Sequence, residues 1–346
     1  MNSSSKWMRW ALGLGAGGLL VACAEHSAAP NLAEQSASSM EADAATFGEL
    51  REQWDLQAEG HDLADEVVVV DGSAEVQEDI LTIRRADLPA DVAGELDRLD
   101  DERIVLKDLI GESDGRVQVQ SSTAPPYRAI VKIYTRYVAD GALYGCSGSL
   151  IAPDAVLTAA HCVYNSRRVA RGYAHSVMVV PGMYPKSPLP SSGVRYQTPF
   201  GSGTGKKLFV PDGYIKNESD SWNKVPHDYA VIRLKASLGA VGTRRFGVLS
   251  SSLGKAVTVT GYHGDLEKGL RQYSSRDQVR KVFAVGVISH YADTEHGASG
   301  SGVTGSGEWS DKIFAVHSSG FESYNAAAAI TAKNHPVIVD WAVRAL

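Results

Sequence analysis

CSGSLIAPDAVLTAAHC, residues 146–162, holds two short apolar runs separated by a Pro-Asp turn, with a cysteine at each end and a histidine beside the second. Runs this short, bounded by turn residues, read as strands rather than helix. The same texture extends outward on both sides. RAIVKIYTRYV, HSVMVVPG, YAVIRL, AVTVTGY, KVFAVGVISHY, KIFAVHSSG and AAAAIT all lie after Pro125-Pro126, rich in Val, Ile, Thr and Tyr and divided by Gly, Pro, Ser and Asn. Regular short strands of this kind indicate an all-β sandwich or barrel. The tail HPVIVDWAVRAL spaces Val337, Ile338, Trp341, Ala342 and Ala345 on one helical face and predicts a closing helix.

The 346 residues exceed what one compact domain needs. Lys6 and Arg9 precede an apolar, Gly-rich stretch over 11–22, which reads as an export signal because it is too short to span a bilayer. Its end, Leu20-Val21-Ala22-Cys23, resembles a bacterial lipoprotein box, in which the cysteine is diacylated after removal of 1–22. An ordinary secretory signal is the alternative. Either way the chain is exported, and with Cys23 lipidated Cys146 and Cys162 remain as a candidate pair in an oxidising compartment. CxxC, HExxH and Cys/His clusters are absent from the sequence, so neither a metal site nor a cofactor is expected.

The net charge of −6 conceals a division: residues 24–108 carry −17 and residues 109–346 carry +9. The stretch 23–46 reads as a flexible tether, rich in Ala and Ser. In the acidic 47–108, strands are expected at 66–70 and 78–83 and a helix over 92–110. The sequence has no aromatic-studded basic stripe and no phosphate-binding glycine loop, which argues against nucleic acid as a partner.

Three residues carry the chemistry. His161 ends the opening segment, Asp228 opens HDYAVIRL (227–234), and Ser299 lies in the Gly-rich EHGASGSGV (295–303). Each alone has a bland reading as core histidine, turn aspartate or flexible turn. Together they offer a nucleophile, a base and a carboxylate to fix the base's tautomer. The glycines let the N–H groups of Gly297 and Ser299 converge as an oxyanion hole. Asp212 and Asp220 are the alternatives for the third member. The nucleophile-elbow pattern G-x-S-x-G is not met at Ser299, because position 301 is serine and no βα alternation surrounds it.

The opening segment resembles the histidine loop of chymotrypsin-fold serine proteases, in which a disulfide matching Cys146 and Cys162 closes the loop. PYRAIVKI, LIAPDAVLTAAHCVYN, VTVTGYHGD, FAVHSSG and AAITAKNHPVIVDW resemble, in the same order, segments of the bacterial glutamyl endopeptidases. The resemblance spans 109–346 and implies two antiparallel six-stranded β-barrels, about 125–238 and about 239–332, with a C-terminal helix at about 334–345. It implies a serine endopeptidase acting through an acyl-enzyme on peptide or protein substrates, expected to be a monomer. KDLIGESDGRV (107–117) resembles the junction at which such chains begin their mature form, placing a new N-terminus near Leu109. The acidic 47–108 then becomes a pro-region able to inhibit the enzyme, and cleavage would release a soluble protease from its lipid anchor on the cell envelope, outside the cell or in the periplasm.

Two pocket signals compete. Asp293, six residues before Ser299, stands where trypsin-like enzymes keep the aspartate that recruits Lys or Arg. His317 stands where glutamyl endopeptidases bind the substrate carboxylate, with Thr294 as a second contact. The expectation is cleavage after Glu and less readily Asp, with Lys/Arg specificity as the alternative. An inactive protease-fold lipoprotein serving as a binding module is the reading from outside the enzymes. His296 and Gly302 depart from the family pattern, where glycine and proline are common, and His296 would lie at the pocket rim.

Overall fold

β1 (Ile130–Arg136) is buried along almost its whole length, Lys132 and Thr135 included. In the computed structural model it lies between β2 (Leu143–Ala152) and β4 (Ser176–Pro181). β3 (Ala155–Thr158) turns back on β2, β6 (Ala230–Leu234) pairs β3, and β5 (Gly203–Phe209) pairs β6 and closes on β4. Six strands thus form one barrel. The second is built from β7 (Ala256–Tyr262), β8 (Gln272–Phe283), β9 (Val287–His290), β10 (Gly302–Thr304), β11 (Lys312–Gly320) and β12 (Asn325–Ala329). Its ring runs β7-β8-β9-β12-β11-β10 and back to β7, the same order as β1-β2-β3-β6-β5-β4 in the first. The expected all-β fold of two six-stranded barrels is the fold observed.

The structure describes residues 60–63, 76–77, 113–137, 143–165, 172–188, 190, 195–217, 222–320 and 324–346. The signal, Cys23, the strands expected at 66–70 and 78–83, the helix expected over 92–110, the 107–112 junction and Asp220 lie outside these residues.

Among the described residues, two α-helices complete the body: α1 (Asp212–Lys216), and α2 (His335–Val343), which packs on β6, β2 and β3. Ile338, Trp341 and Ala342 are buried as the periodicity predicts, and Trp341 stacks on Phe209. Ala345 instead lies beyond the helix and is exposed. Arg233 on β6 donates to the carbonyls of Trp341 and Arg344, satisfying the helix end. Just before it enters β1 the chain touches barrel two: Val117–Gln118 pairs antiparallel with Tyr273 and Ser274 of β8.

Candidate active site

The site lies where the barrels meet. His161 occupies a 3-10 turn, Ala160–Cys162, directly after β3. Cys162 is bonded to Cys146 on β2, with Cα atoms 6.1 Å apart, so the turn is tied to the neighbouring strand. Asp228 follows the turn Val225–His227 and precedes β6, which pairs with β3. That pairing brings two residues 67 positions apart into contact. His161 Nδ1 lies 2.7 Å from Asp228 Oδ2, and the His161 backbone N–H donates to Oδ1 at 2.9 Å. Both residues are buried.

A third donor comes from the other barrel, for Ser318 on β11 donates its hydroxyl to Asp228 Oδ2. Burial would push the Asp228 carboxyl up, but the His161 ring, the Ser318 hydroxyl and the His161 amide outweigh it and hold the group below its ordinary value. Asp228 is therefore ionised at neutral pH. Asp212, the alternative, is exposed at the start of α1 and pairs with Lys216 at 3.0 Å.

Ser299 sits between two glycines held with positive φ, Gly297 at 86° and Gly300 at 82°. Neither position has room for a side chain. A Cβ on Gly297 would lie 2.5 Å from the Tyr262 carbonyl, and one on Gly300 would lie 2.1 Å from Thr158 Oγ1. The turn is pinned to barrel one by Ser147, whose N–H donates to the Ser299 carbonyl at 2.8 Å and whose hydroxyl donates to the Gly297 carbonyl at 2.7 Å. The same hydroxyl accepts the Tyr262 N–H at 2.8 Å. The Ser299 carbonyl also lies 3.7 Å from Cys162 Sγ, which places the turn beside the histidine loop. Among the described residues, the N–H groups of Gly297 and Ser299 donate to no protein atom.

His317 on β11 is fixed by two backbone bonds to the same turn: its N–H donates to the Ser301 carbonyl at 2.9 Å, and its carbonyl accepts the Gly300 N–H at 2.8 Å. Its ring is 5.6 Å from that of His290, and its Nδ1 is buried without a hydrogen-bond partner among the described residues. Burial and then the neighbouring His290, His263 and His161 push the His317 imidazole well below its ordinary value, so it is neutral at pH 7. Burial likewise lowers His290 to about 4. Thr294 is buried, and His296 is half-buried with Nε2 3.8 Å from Glu295 Oε2. A Cβ on Gly302 would lie 2.7 Å from Ile313 Cδ1, so a larger residue there would require the Ile313 side chain to shift.

Asp293 is buried, and its Oδ2 accepts the Gly115 N–H at 2.7 Å. The strap that delivers Gly115 is locked by Arg116, which forks onto Asp265 at 2.8 and 2.6 Å and also binds Asp114. Sequence reasoning singled out His161, Asp228 and Ser299 but missed Ser147, Ser318 and Gly115. Only for Ser147 and Ser318 was there any signal, as serines adjacent to residues already suspected. Among the described residues, the one cluster with metal-ligand spacing is Cys146, His161 and Cys162, whose sulfurs are joined to each other and offer no thiolate.

The profile of the family described as Trypsin matches residues 115–341. The chain belongs to the trypsin family of serine proteases. This trypsin-family protein is a serine endopeptidase and a homologue of glutamyl endopeptidases. It is 31% identical over 250 residues to the glutamyl endopeptidase of Bacillus licheniformis, covering 68% of this chain and 69% of that one. It is 29% identical over 227 residues to a Bacillus subtilis protein named extracellular metalloprotease, covering 64% and 66%. A solved structure of Glu endopeptidase in complex with MPD superposes with a TM-score of 0.57 at 27% identity, covering 68% of this chain and 100% of that one.

Proposed function

We propose that Ser299 is the nucleophile, His161 its general base and Asp228 the carboxylate that orients the base, in an exported endopeptidase cutting after Glu and less readily Asp. The observation that carries the triad is the buried 2.7 Å contact between His161 Nδ1 and Asp228 Oδ2. An ionised Asp228 holds the proton of the imidazole on Nδ1 and leaves Nε2 as the acceptor. Ser299 Oγ then adds to the scissile carbonyl carbon as its proton passes to His161 Nε2. The carbonyl oxygen takes the electron pair, and the N–H groups of Gly297 and Ser299 stabilise it, each worth about 3 kcal/mol in such a site. Collapse breaks the C–N bond, and the leaving amine takes the proton from His161. Water repeats the sequence on the acyl-enzyme and restores the serine.

The Glu preference is supported by similarity to a glutamyl endopeptidase and by His317, buried against the Ser299 turn. Thr294 is its second contact. The Lys/Arg alternative loses support because Asp293 Oδ2 is engaged by Gly115 rather than left for a cationic substrate. The chain is made as an envelope-anchored precursor lipidated on Cys23, with an acidic pro-region removed by a cut near 107–112. The opposed charges of the two parts support that reading. Labelling of processed protein with a fluorophosphonate tests the nucleophile, and a peptide library with mass spectrometry of the new ends tests the pocket. Label on Ser299 and C-terminal Glu are expected. Ends in Lys or Arg overturn the Glu reading in favour of Asp293, and no label in folded protein leaves a binding module.

A further inference from the structure

The outer edge of β5 is shared by two strands. β6 takes one edge of β5 over 205–209, and on the other edge β4 pairs only with Gly203 and Thr204. Beyond that point β4 has left, and an open edge of this kind is a template for an added strand. Here the added strand is His61–Asp62, antiparallel, with His61 opposite Leu208 and Asp62 opposite Lys207. The Leu63 N–H donates to the Lys206 carbonyl at 2.8 Å.

The fit involves side chains as well as backbone. The His61 ring lies flat on Tyr173, with centroids 4.3 Å apart and planes 5° from parallel. Leu63 fills the space above Gly205, where a Cβ would come within 2.5 Å of its Cδ1, and joins the core of barrel one. Gly60 passes so close to β5 that a Cβ on it would lie 2.6 Å from Phe209 Cε1. Asp62 and Lys207 are 3.4 Å apart, and because Asp62 is exposed the pair adds little.

The docked strand also meets the histidine loop. Tyr173 packs edge-on against Tyr164 at 5.0 Å, and Tyr164 is two residues beyond Cys162. The short strands Tyr164–Asn165 and Gly172–Tyr173 pair with each other, so the ring under His61 belongs to the hairpin that leaves the catalytic turn.

We propose that the β5 edge at 206–209, with Tyr173 beside it, is a docking site for the 60–63 strand of this chain's own leader, and that the strand stays bound there after the chain is cut. The leader is then a non-covalent subunit seated on barrel one through backbone pairing and apolar contact. It rests on the reading of 47–108 as a removable pro-region. The strand's seat does not include Ser299 or His317, so its occupancy is separable from occupancy of the substrate pocket.

The test uses the full chain, kept in mild detergent, with Ser299→Ala and an engineered cleavage site between 107 and 112, so neither natural processing nor activity is required. After cutting, size-exclusion chromatography should return the leader together with the body, in 1 M salt as well as at low ionic strength. Hydrogen exchange should show amides of 204–209 protected in the cut complex. Gly60→Val and Leu63→Asp should each weaken retention tenfold or more, and His61→Ala several-fold, while Asp62→Asn changes it less than twofold. Tyr173→Ala on the body keeps the test open should a leader variant fail to fold, and it should weaken retention several-fold. Leader leaving the wild-type body on cutting, or Leu63→Asp and Gly60→Val retained like wild type, overturns the proposal. Either result leaves the protease reading intact, because fluorophosphonate labelling of Ser299 in the otherwise native chain is scored separately.

Discussion

The two barrels share one ring order and differ in what fills them. Barrel one buries Val131, Ile133, Leu150, Val156, Val231 and Ile232 along its strands, with Lys132, Thr135, Ser149 and Ser176 among its buried polar residues and no histidine in its six strands. Barrel two has its own apolar cluster, centred on Val257, Val259, Ile288 and Phe314, yet its strands also bury Ser289, His290, His317, Ser319 and Asn325. Ring closure satisfies the backbone in either case, so topology alone does not dictate the lining. The lining separates the jobs. Barrel one carries His161 and Asp228, whereas barrel two adds buried imidazoles, and in the proposed reading the neutral His317 meets the acidic side chain of the substrate. The cost is local, because buried polar atoms without partners destabilise by about 1–3 kcal/mol each.

The comparison breaks most easily at the seam between the barrels. Ser299→Ala should lower kcat by about six orders of magnitude, as loss of a triad serine does, while thermal unfolding stays near that of wild type. Asp228→Asn should cost about four orders through the wrong imidazole tautomer. If its kcat/KM stays within about tenfold, the third member of the triad is misassigned.

His317→Ala sharpens the contrast in lining. Removing one partner of a buried charged hydrogen bond costs about 2–5 kcal/mol, so kcat/KM for Glu substrates should fall by about 30-fold to 5,000-fold. Reaction with a small acylating agent should barely change, and Asp293→Asn should keep cleavage after Glu. The pH sign follows from His317 being neutral in the free enzyme. A bound carboxylate raises the imidazole, so the complex holds more protons than the free protein. Glu-peptide affinity should therefore fall as pH rises above the depressed free-enzyme value toward the raised bound value, and fall again at acid pH where the Glu carboxyl of the peptide is protonated. Calorimetry of the Ser299→Ala protein in buffers of different ionisation enthalpy should show proton uptake with a Glu peptide and none with Gln. Equal uptake for both would mean that the carboxylate is not read by His317.

Ser147→Ala is expected to be milder. It leaves the Gly297 carbonyl and the Tyr262 N–H without the shared hydroxyl, about 1–3 kcal/mol per buried group, so kcat should fall roughly tenfold to a hundredfold. The pH profile should not move, because the His161–Asp228 pair is untouched. The smallest effect is expected at Ser319, whose hydroxyl has no partner among the described residues. Ser319→Ala should change stability by less than about 1 kcal/mol, towards greater stability, measured by denaturant unfolding. A loss above that would show the hydroxyl to be engaged and the polar lining of barrel two to be structurally required.

Strand-length apolar runs, two cysteines bracketing a histidine loop, and a Gly-rich turn around serine were readable in the sequence because each is local chemistry with a short-range pattern. The Cys146–Cys162 bond and the two-barrel fold followed by resemblance. The closing helix was readable too, though its end was not: α2 stops at Val343, where Arg233 from β6 takes the carbonyl of Trp341 and that of Arg344 just beyond. What no pattern could supply are bonds between residues far apart in the chain. Ser318 reaches Asp228 across 90 positions, Ser147 reaches Gly297 across 150, and Gly115 reaches Asp293 across 178. Asp293 shows the consequence, since its spacing from Ser299 suggests a cation pocket and only the fold reveals the amide that engages its carboxylate. By itself the sequence determined which residue types were available and in what order, because propensity and spacing act over a few residues. The tertiary structure decided which of them face one another, because barrel closure sets those distances with no regard for sequence separation.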